Sequence, residues 1–517
     1  MQKKIVIITL YQYGAFGSMV LSDVLKSTNH SVFNIFFKKD KTNVMELPTE
    51  KEKKLLVDLI KDINPELIGI STRSTFFPVA KDITLKLREN VRSPIIWGGV
   101  HPTICPEECI QVADMICVGE GEKVVIELAD GLANKQDTSK IKGLWLKKNG
   151  SVIQNEPQML LQDLDELPLP SFDEKDTYSI ENNCIQEGEP YYNDNLIHYN
   201  FMTGRGCPFH CNFCSNSILK NIFENKGPYI RQRTVQNVIE ELKLAKKRFK
   251  KLRSVSSNDE IFVLNKEWLK EFCKQYKSEI NLPFHCDIYP TFINEDIIKM
   301  LVDAGLRTIT VGIQSGSEQI REHCYGRKTS EVELKKKAEI LKKFHIFPSY
   351  DLIFDNPIET ENDIKNTLLF MLGLPRPFRI NMYSLQYHPK TQLTETFLQQ
   401  KIILPDDIDG ASVKGFNQWH VNFDSETQKQ ELVFLYKLFE LLSSFINLSK
   451  KNPGRVISVF PRWLIRLIEK NNYFRKYPQL TNWIAFLPKL TFGLGLVFQC
   501  EFKRLWRSSR NFLQNTK

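Results

Sequence analysis

The sequence predicts an α/β protein with a doubly wound parallel sheet, a second series of strand–helix repeats and a helical C-terminal region. Three observations carry this prediction. A chain of 517 residues is too long for one hydrophobic core. Apolar strands alternate with helical patterns near the N-terminus, and the alternation restarts at Ile197. We expect domains at 1–135 and 196–425, a connector at 136–195 and the helical region at 426–517.

Residues 1–135 contain five apolar runs typical of buried strands, with helical patterns between them. The strands are predicted at KKIVIITL, HSVFNIFF, ELIGIS, PIIWGG and MICVGEG, and the helices at 17–27, 52–63 and 79–90. Strands joined through helices are parallel and cross over with right-handed geometry. The first domain is therefore predicted to carry helices on both faces of its sheet.

Small residues follow several of these strands, at the edge where ligands of doubly wound sheets bind. A glycine lets the backbone approach a ligand closely. A glycine that only forms a turn would explain any single loop, but several such loops on one edge favour a binding crevice. The residues assigned to this crevice are Gly14, Gly17, Ser71, Gly98, Gly99, Gly119 and Gly121.

The connector holds a predicted hairpin at 143–154, which turns at Asn149-Gly150. From Ile197 the chain then shows six strand–helix repeats. The predicted strands are HYNFMTG, LRSVSSN, PFHCDIY, TITVGIQSG, PSYDLIF and INMYSLQY. Six repeats of this kind predict a full or partial (β/α) barrel, with its chemistry at the carboxyl ends of the strands.

Three cysteines, Cys207, Cys211 and Cys214, lie on the loop that follows the first of these strands. Thiolates are ligands for zinc or for iron–sulfur clusters. A structural zinc site normally has four protein ligands, so zinc would require a distant fourth ligand such as Cys184 or Cys286. A 4Fe–4S cluster held by three cysteines leaves one iron open to a substrate or cofactor.

The spacing Cys207-x3-Cys211-x2-Cys214 resembles the signature of the radical S-adenosylmethionine (radical SAM) superfamily. Phe213 before the last cysteine and Gly204-Arg205-Gly206 ahead of the first also match. The resemblance implies that the open iron chelates SAM. It further implies that reductive cleavage yields a 5′-deoxyadenosyl radical, which abstracts hydrogen from the substrate.

Further segments resemble the superfamily in the same order along the chain. They are 258–262, 312–317 and 350–357, the last followed by Glu359-Thr360. The resemblance implies that Asp259, Gln314 and Ser315 contact SAM. Many relatives have Glu at the position of Gln314, but an amide still donates and accepts hydrogen bonds.

The N-terminal half resembles the cobalamin-binding domain that precedes the barrel in one branch of the superfamily. The matching segments are 65–71, 97–103, 106–108 and 119–122. The resemblance implies that the residues assigned to the crevice bind cobalamin. No Asp-x-His motif is present, so we expect no protein imidazole on cobalt. His101 is predicted to be a hydrogen-bonded loop histidine.

The net charge of +9 is concentrated in the tail, where residues 446–517 carry 14 Lys or Arg against 2 Asp or Glu. Aromatic residues interleave with these basic residues. A helical cap with solvated charges, peripheral contact with an anionic membrane and RNA contact would each fit this composition. We expect no nucleic-acid partner, because no base-stacking motif accompanies the charge. The protein is predicted to be cytoplasmic, with membrane contact through the tail as an open alternative.

The function predicted from these features is that of a cobalamin-dependent radical SAM methyltransferase acting at an unactivated carbon. It would use a 4Fe–4S cluster, SAM and cobalamin, a reducing partner such as flavodoxin or ferredoxin, and a small-molecule or lipid substrate. Two alternatives stay open: radical chemistry without methyl transfer, such as oxidative cyclisation or rearrangement of a lipid or tetrapyrrole-like substrate, and a non-catalytic iron–sulfur or zinc module. No individual catalytic side chain is singled out.

Overall fold

The structure, a computed structural model, describes residues 2–11, 15–39, 46–188 and 191–408. Within these residues the chain forms two compact units. The first comprises the described residues up to 287 together with 303–306 and 386–408, and the second comprises 288–302 and 307–385. The predicted crevice residue Gly14 and the predicted helical region at 426–517 lie outside the described residues.

The N-terminal sheet contains nine strands in the described chain, in the order β7-β6-β5-β4-β3-β1-β2-β8-β9. Its strands are β1 Lys4–Leu10, β2 Ser31–Phe37, β3 Leu67–Ser71, β4 Ile95–Gly98, β5 Met115–Cys117, β6 Leu144–Lys148, β7 Ser151–Gln154, β8 Thr177–Glu181 and β9 Cys184–Glu187. The first five strands and β8 pair in parallel, whereas β6, β7 and β9 add antiparallel edges. The predicted doubly wound parallel sheet is confirmed.

Alternating side chains of the central strand β1 pack on opposite faces of this sheet. Val6, Ile8 and Leu10 lie in one hydrophobic cluster, and Ile5 and Ile7 lie in the other. The surrounding helices are α1 Phe16–Ser27, α2 Glu50–Ile63, α3 Phe77–Arg88, α4 Val100–Ile104, α5 Pro106–Val112 and α6 Gly121–Asn134. Apolar residues of α2 and α3 join the first cluster, and those of α1 and α6 join the second. A strand that is apolar on both faces needs this double cover.

The second strand–helix series follows the order predicted from the sequence. Its strands are β10 His198–Phe201, β11 Gly204–Arg205, β12 Arg231–Gln232, β13 Ser254–Ser257, β14 Phe284–Ile288, β15 Leu306–Gln314, β16 Phe347–Phe354 and β17 Arg379–Ser384. Its helices are α7 Ser215–Ile222, α8 Val235–Arg248, α9 Lys266–Gln275, α10 Glu295–Ala304, α11 Glu331–Lys343, α12 Glu361–Gly373 and α13 Gln392–Gln399. The six predicted strands are therefore all present among the described residues, each followed by a helix.

Strands β10, β13 and β14 pair in parallel in the first unit. In the second unit β15 pairs in parallel with β16, and β16 with β17. The short strands β11 and β12 form a separate antiparallel ribbon. The parallel pairing brings the carboxyl ends of neighbouring strands to the same edge of each sheet.

Threonine and serine residues cap several helices at their N-termini, as their sequence positions favour. The side chain of Thr49 accepts from the backbone N–H of Glu52 at the start of α2, and Glu52 completes a capping box. Ser330 accepts from the backbone N–H of Glu333 at the start of α11, and Thr360 forms a capping box with Asp363 at the start of α12. In the described part of the chain, no helix has the length and apolar character that crossing a membrane requires.

Candidate active site

A cavity of about 480 Å³ lies at the carboxyl-end edge of the N-terminal sheet, within the first unit. The loops after β3, β4 and β5 and the start of α1 form one wall. The predicted crevice residues that line it are Gly17, Ser71, Gly98, Gly99, Gly119 and Gly121. The structure thus brings together every described residue that the sequence assigned to the crevice.

Another part of the lining belongs to the segment that carries the three cysteines. Gly206, immediately before Cys207, and Asn216, two residues after Cys214, both line the cavity. The other lining residues between 202 and 260 are Met202, Gly204, Arg205, Leu219, Phe223, Tyr229, Arg231, Arg233, Glu241 and Glu260. One space is therefore shared by the sheet-edge loops and the residues that flank the cysteine loop.

Two glycines that line the cavity differ in the space that a side chain would have. Gly99 has a φ of 109°, and a Cβ there would lie 2.6 Å from the backbone oxygen of Thr72. At Gly17 the position of a Cβ is open space, with no atom within 4 Å. An open apolar crevice bordered by bare backbone fits a large planar cofactor such as a corrinoid.

The cysteine loop ends at α7, and its last turn is tightly hydrogen-bonded. The N–H of Cys214 donates to the carbonyl oxygen of Cys211 at 3.1 Å, and Ser217 Oγ donates to the carbonyl oxygen of Cys214 at 2.7 Å. Burial raises the pKa of the Cys214 thiol to about 11, against the opposing effect of hydrogen bonds with Asn216. Ligation to a metal would therefore have to displace a proton from this thiol.

Three thiols on one short loop are the donor set that an iron–sulfur cluster uses. Of the distant zinc ligands considered above, Cys184 is exposed on β9 and Cys286 is buried in β14. No group of three or more His, Cys, Asp or Glu side chains in the described residues is arranged to hold a single metal ion. His210 is exposed, with Nε2 lying 2.8 Å from Nζ of Lys220.

Asp259 anchors the start of the cysteine segment. Its Oδ1 accepts from the backbone N–H groups of Thr203 and Gly204, both at 2.8 Å, and its Oδ2 accepts from Thr203 Oγ1 at 2.9 Å and from Ser257 Oγ. Burial raises the pKa of Asp259 to about 6, although these hydrogen bonds oppose the rise. A contact between Asp259 and SAM stays a prediction. The neighbouring acid, Glu260, is the one that lines the cavity.

The second unit contains the other two predicted SAM residues, Gln314 and Ser315, at the end of β15. Gln314 adopts a φ of 72°, beside a register shift in the pairing of β15 with β16. Left-handed backbone at a non-glycine residue often marks a functional position. Ser315 Oγ donates to Glu359 Oε1 at 3.2 Å. Full burial raises the pKa of Glu359 to about 8, with further contributions from Asp363 and Asp355.

The structure also brings charged residues to the cavity that were not predicted as site residues. Arg205 donates to Glu120 at 2.9 Å and to Glu122 at 2.6 Å, and Arg231 donates to both oxygens of Glu120 at 2.9 Å. Burial raises the pKa of Glu120, but the charges of Arg205 and Arg231 outweigh it and hold this pKa below its usual range. Glu120 and Glu122 are visible in the sequence, whereas no motif indicates Arg231.

His101 is hydrogen-bonded, as expected, but it lies on the short helix α4 and not in a loop. Its ring is buried, Nδ1 lies 3.1 Å from Ser74 Oγ, and the ring packs edge-on against Phe77. The cavity-lining residues do not include His101.

Two family models match the chain. The B12 binding domain model matches residues 3–129, and the Radical SAM superfamily model matches residues 201–371. An uncharacterised methyltransferase of Pyrococcus horikoshii is 28% identical over 358 residues, which are 68% of this chain and 73% of that protein. The bacteriochlorophyllide d C-8(2)-methyltransferase of Chlorobaculum tepidum is 25% identical over 419 residues, covering 78% of this chain and 82% of the relative.

Among solved structures, the radical SAM methyltransferase TsrM of Kitasatospora setae, with cobalamin and a [4Fe-4S] cluster bound, superposes with a TM-score of 0.60. The identity is 16%, and the match covers 77% of this chain and 78% of TsrM. This likeness shows a shared fold. The predictions of an N-terminal cobalamin-binding domain, of a following radical SAM domain, and of the cofactors that they use are confirmed. The chain belongs to the radical SAM enzymes that carry a B12-binding domain ahead of the radical SAM domain.

Proposed function

We propose that this enzyme is a cobalamin-dependent radical SAM methyltransferase that acts on an unactivated carbon of a small molecule. One observation carries the proposal: the loops at the edge of the B12-binding sheet and the residues that flank the cysteine loop line the same cavity. A methyl carrier and a radical source must both reach one substrate atom, and a shared cavity meets that requirement. The methyltransferase names of the two curated relatives support the same conclusion.

The residues of this chain would hold the cofactors in separate parts of the site. Cys207, Cys211 and Cys214 would hold the cluster, because three thiolates leave one iron open for SAM. Asp259, Gln314 and Ser315 are proposed to contact or position SAM. The cobalamin crevice would be formed by the small residues that line the cavity, Gly17, Ser71, Gly98, Gly99, Gly119 and Gly121, together with Gly14.

When bound, the cluster and SAM supply a radical that activates the substrate, and cobalamin supplies the methyl group. The protein contributes position and shielding. The apolar side chains of Leu160, Leu164 and Leu167 line the cavity, and they would exclude water that could quench a radical. An electron donor such as flavodoxin or ferredoxin would reduce the cluster.

The proposal is tested by the products of anaerobically reconstituted protein. The enzyme would be supplied with hydroxocobalamin, a chemical reductant, SAM with a deuterated methyl group, and candidate tetrapyrroles, lipids and small metabolites. We expect a product heavier by one labelled methyl group, with one 5′-deoxyadenosine and one S-adenosylhomocysteine for each product.

A Cys207→Ala variant is the control, and it should form neither 5′-deoxyadenosine nor methylated product. A product without the label, formed together with 5′-deoxyadenosine, would support the alternative of cyclisation or rearrangement. Wild-type protein that contains its cluster yet forms no 5′-deoxyadenosine would contradict the radical mechanism itself.

A further inference from the structure

Four charged side chains form a buried network in the cavity wall. Glu120 comes from the loop after β5, Glu122 from the first turn of α6, Arg205 from β11 and Arg231 from β12. Their side chains are between 5% and 24% exposed. The network contains two positive and two negative charges, and each carboxylate accepts from at least one guanidinium at 2.6–2.9 Å.

The backbone of Leu161 also hydrogen-bonds to two of these side chains. The N–H of Leu161 donates to Glu120 Oε2 at 2.9 Å, and Arg231 Nη1 donates to the carbonyl oxygen of Leu161 at 3.0 Å. Arg205 is paired with Arg231 across the β11–β12 ribbon. The network therefore has little freedom to rearrange without leaving a buried charge uncompensated, which is strongly unfavourable.

The two ends of the network lead to different cofactor sites. Glu120 lies between Gly119 and Gly121, two lining residues of the proposed cobalamin crevice. Arg205 lies two residues ahead of Cys207, on the strand that enters the cysteine loop. All four charged residues themselves line the cavity. Hydrogen bonds between charged groups thus connect the two loops.

We infer that this network couples cobalamin binding to assembly of the cluster loop, with Glu120 as the central positioning residue. An ordered cysteine loop holds Arg205 and Arg231, these hold Glu120, and Glu120 holds the loop that borders the crevice. Coupling between two sites is reciprocal, so each cofactor strengthens binding of the other. The inference rests on the cofactors of the proposed function and is independent of methyl transfer.

The test measures the dissociation constant of hydroxocobalamin by its visible absorbance, with full-length protein, before and after iron is removed by a chelator under reducing conditions. In the wild type, iron removal should weaken binding by about fivefold or more, the lower end of typical coupling between sites. In Glu120→Gln, which keeps the shape of the side chain but loses its charge, the difference should fall below about twofold.

The matched control is Glu52→Gln. Glu52 forms a buried ion pair with Lys38 at 2.9 Å, with 1% and 4% of the side chains exposed, and neither residue lines the cavity. This variant also loses a buried charge, so it should be destabilised while keeping the coupling of the wild type. Loss of the coupling in Glu52→Gln as well would overturn the inference, since it would show a general effect of destabilisation.

Other outcomes are equally decisive. Wild-type binding that is insensitive to iron, or full coupling in Glu120→Gln, would overturn the inference alone. If wild-type protein binds no hydroxocobalamin, both the inference and the proposed cofactor use fail. If Glu120→Gln does not fold, Glu122→Gln is measured in its place, because it weakens one ion pair with Arg205. Reduced coupling in Glu122→Gln would support the inference, and unchanged coupling would overturn it.

Discussion

Replacing Glu359 by glutamine should stabilise the protein in alkaline solution. Glu359 is fully buried in the second unit, its Oε1 accepts from Ser315 Oγ, and its Oε2 has no hydrogen-bond partner within the described chain. Burial raises the pKa of this carboxyl from an ordinary value of 4.5 to about 8. The folded protein therefore keeps a proton on Glu359 at neutral pH that the unfolded chain releases.

The sign of the effect follows from this difference in proton binding. A group with a raised pKa in the folded state contributes stability that is fully present below its unfolded pKa and is lost as the pH rises through the folded value. For Glu359 the loss runs from pH 4.5 to about 8. At about 1.36 kcal/mol for each pH unit, the part between pH 6 and 8 is about 2.7 kcal/mol.

Glutamine has the same shape as glutamic acid but does not ionise. Because about 2 kcal/mol is already lost between pH 4.5 and 6, the free energy of unfolding of Glu359→Gln should exceed that of the wild type by about 2 kcal/mol at pH 6 and by about 4–5 kcal/mol at pH 9. Urea denaturation at both pH values measures the difference, and Glu339→Gln, an exposed position on α11, is the control that should show no such change. A raised pKa of Glu359 would be refuted by a Glu359→Gln variant that gains no stability at pH 9 relative to pH 6, or by a control that gains as much.

Four further substitutions test the proposed cofactor sites and the loops around them. In Cys207→Ala the affinity for iron, measured as bound iron and sulfide, should fall by more than the roughly 10–100-fold that loss of a supporting partner costs a metal site. Cys184→Ala on β9 should bind as much iron as the wild type. Equal loss of iron in both variants would contradict the assignment. Gly99→Ala should lose about 1–3 kcal/mol of unfolding free energy, since its Cβ would press on the Thr72 carbonyl. Gly17→Ala, in open space at the start of α1, should weaken hydroxocobalamin binding without that loss, and undiminished binding would count against its place in the crevice. Asp259→Asn should lower the free energy of unfolding by about 3 kcal/mol, because the NH2 of the asparagine cannot accept a hydrogen bond from an N–H or hydroxyl donor. Thermal unfolding that matches the wild type would show that the four hydrogen bonds are dispensable.

The strands and helices of both α/β series could be predicted because each carries a strong apolar period. The run KIVIITL of β1 sends alternate residues to two faces, and both faces are covered. Strands β8 and β9 were not indicated by the sequence, since TYSIE and CIQE are short and half polar. Their pairing beside β2 depends on where the tertiary structure leaves an open sheet edge, and no local pattern contains that information.

The candidate site likewise has features that the sequence predicts and features that it does not. Cys207, Cys211 and Cys214 are grouped in the sequence, and the glycine loops follow predictable strands. The ion pair between Glu120 and Arg231 joins residues 111 positions apart. It depends on the two-residue ribbon of β11 and β12, which is too short to carry a periodic signal. Ion pairs between side chains that are far apart in the sequence could therefore not be predicted from it.

Asp259 and Glu260 show how neighbouring residues of like charge come to have different functions. They lie just beyond the end of β13, separated from it by Asn258. Asp259 is buried against the backbone of Thr203 and Gly204, whereas Glu260 is exposed and lines the cavity. A carboxylate that four hydrogen bonds already engage is suited to hold the cysteine segment in place. Glu260 is therefore the residue of the pair available to a ligand in the cavity, and the contact predicted for Asp259 would act through the loop that it positions.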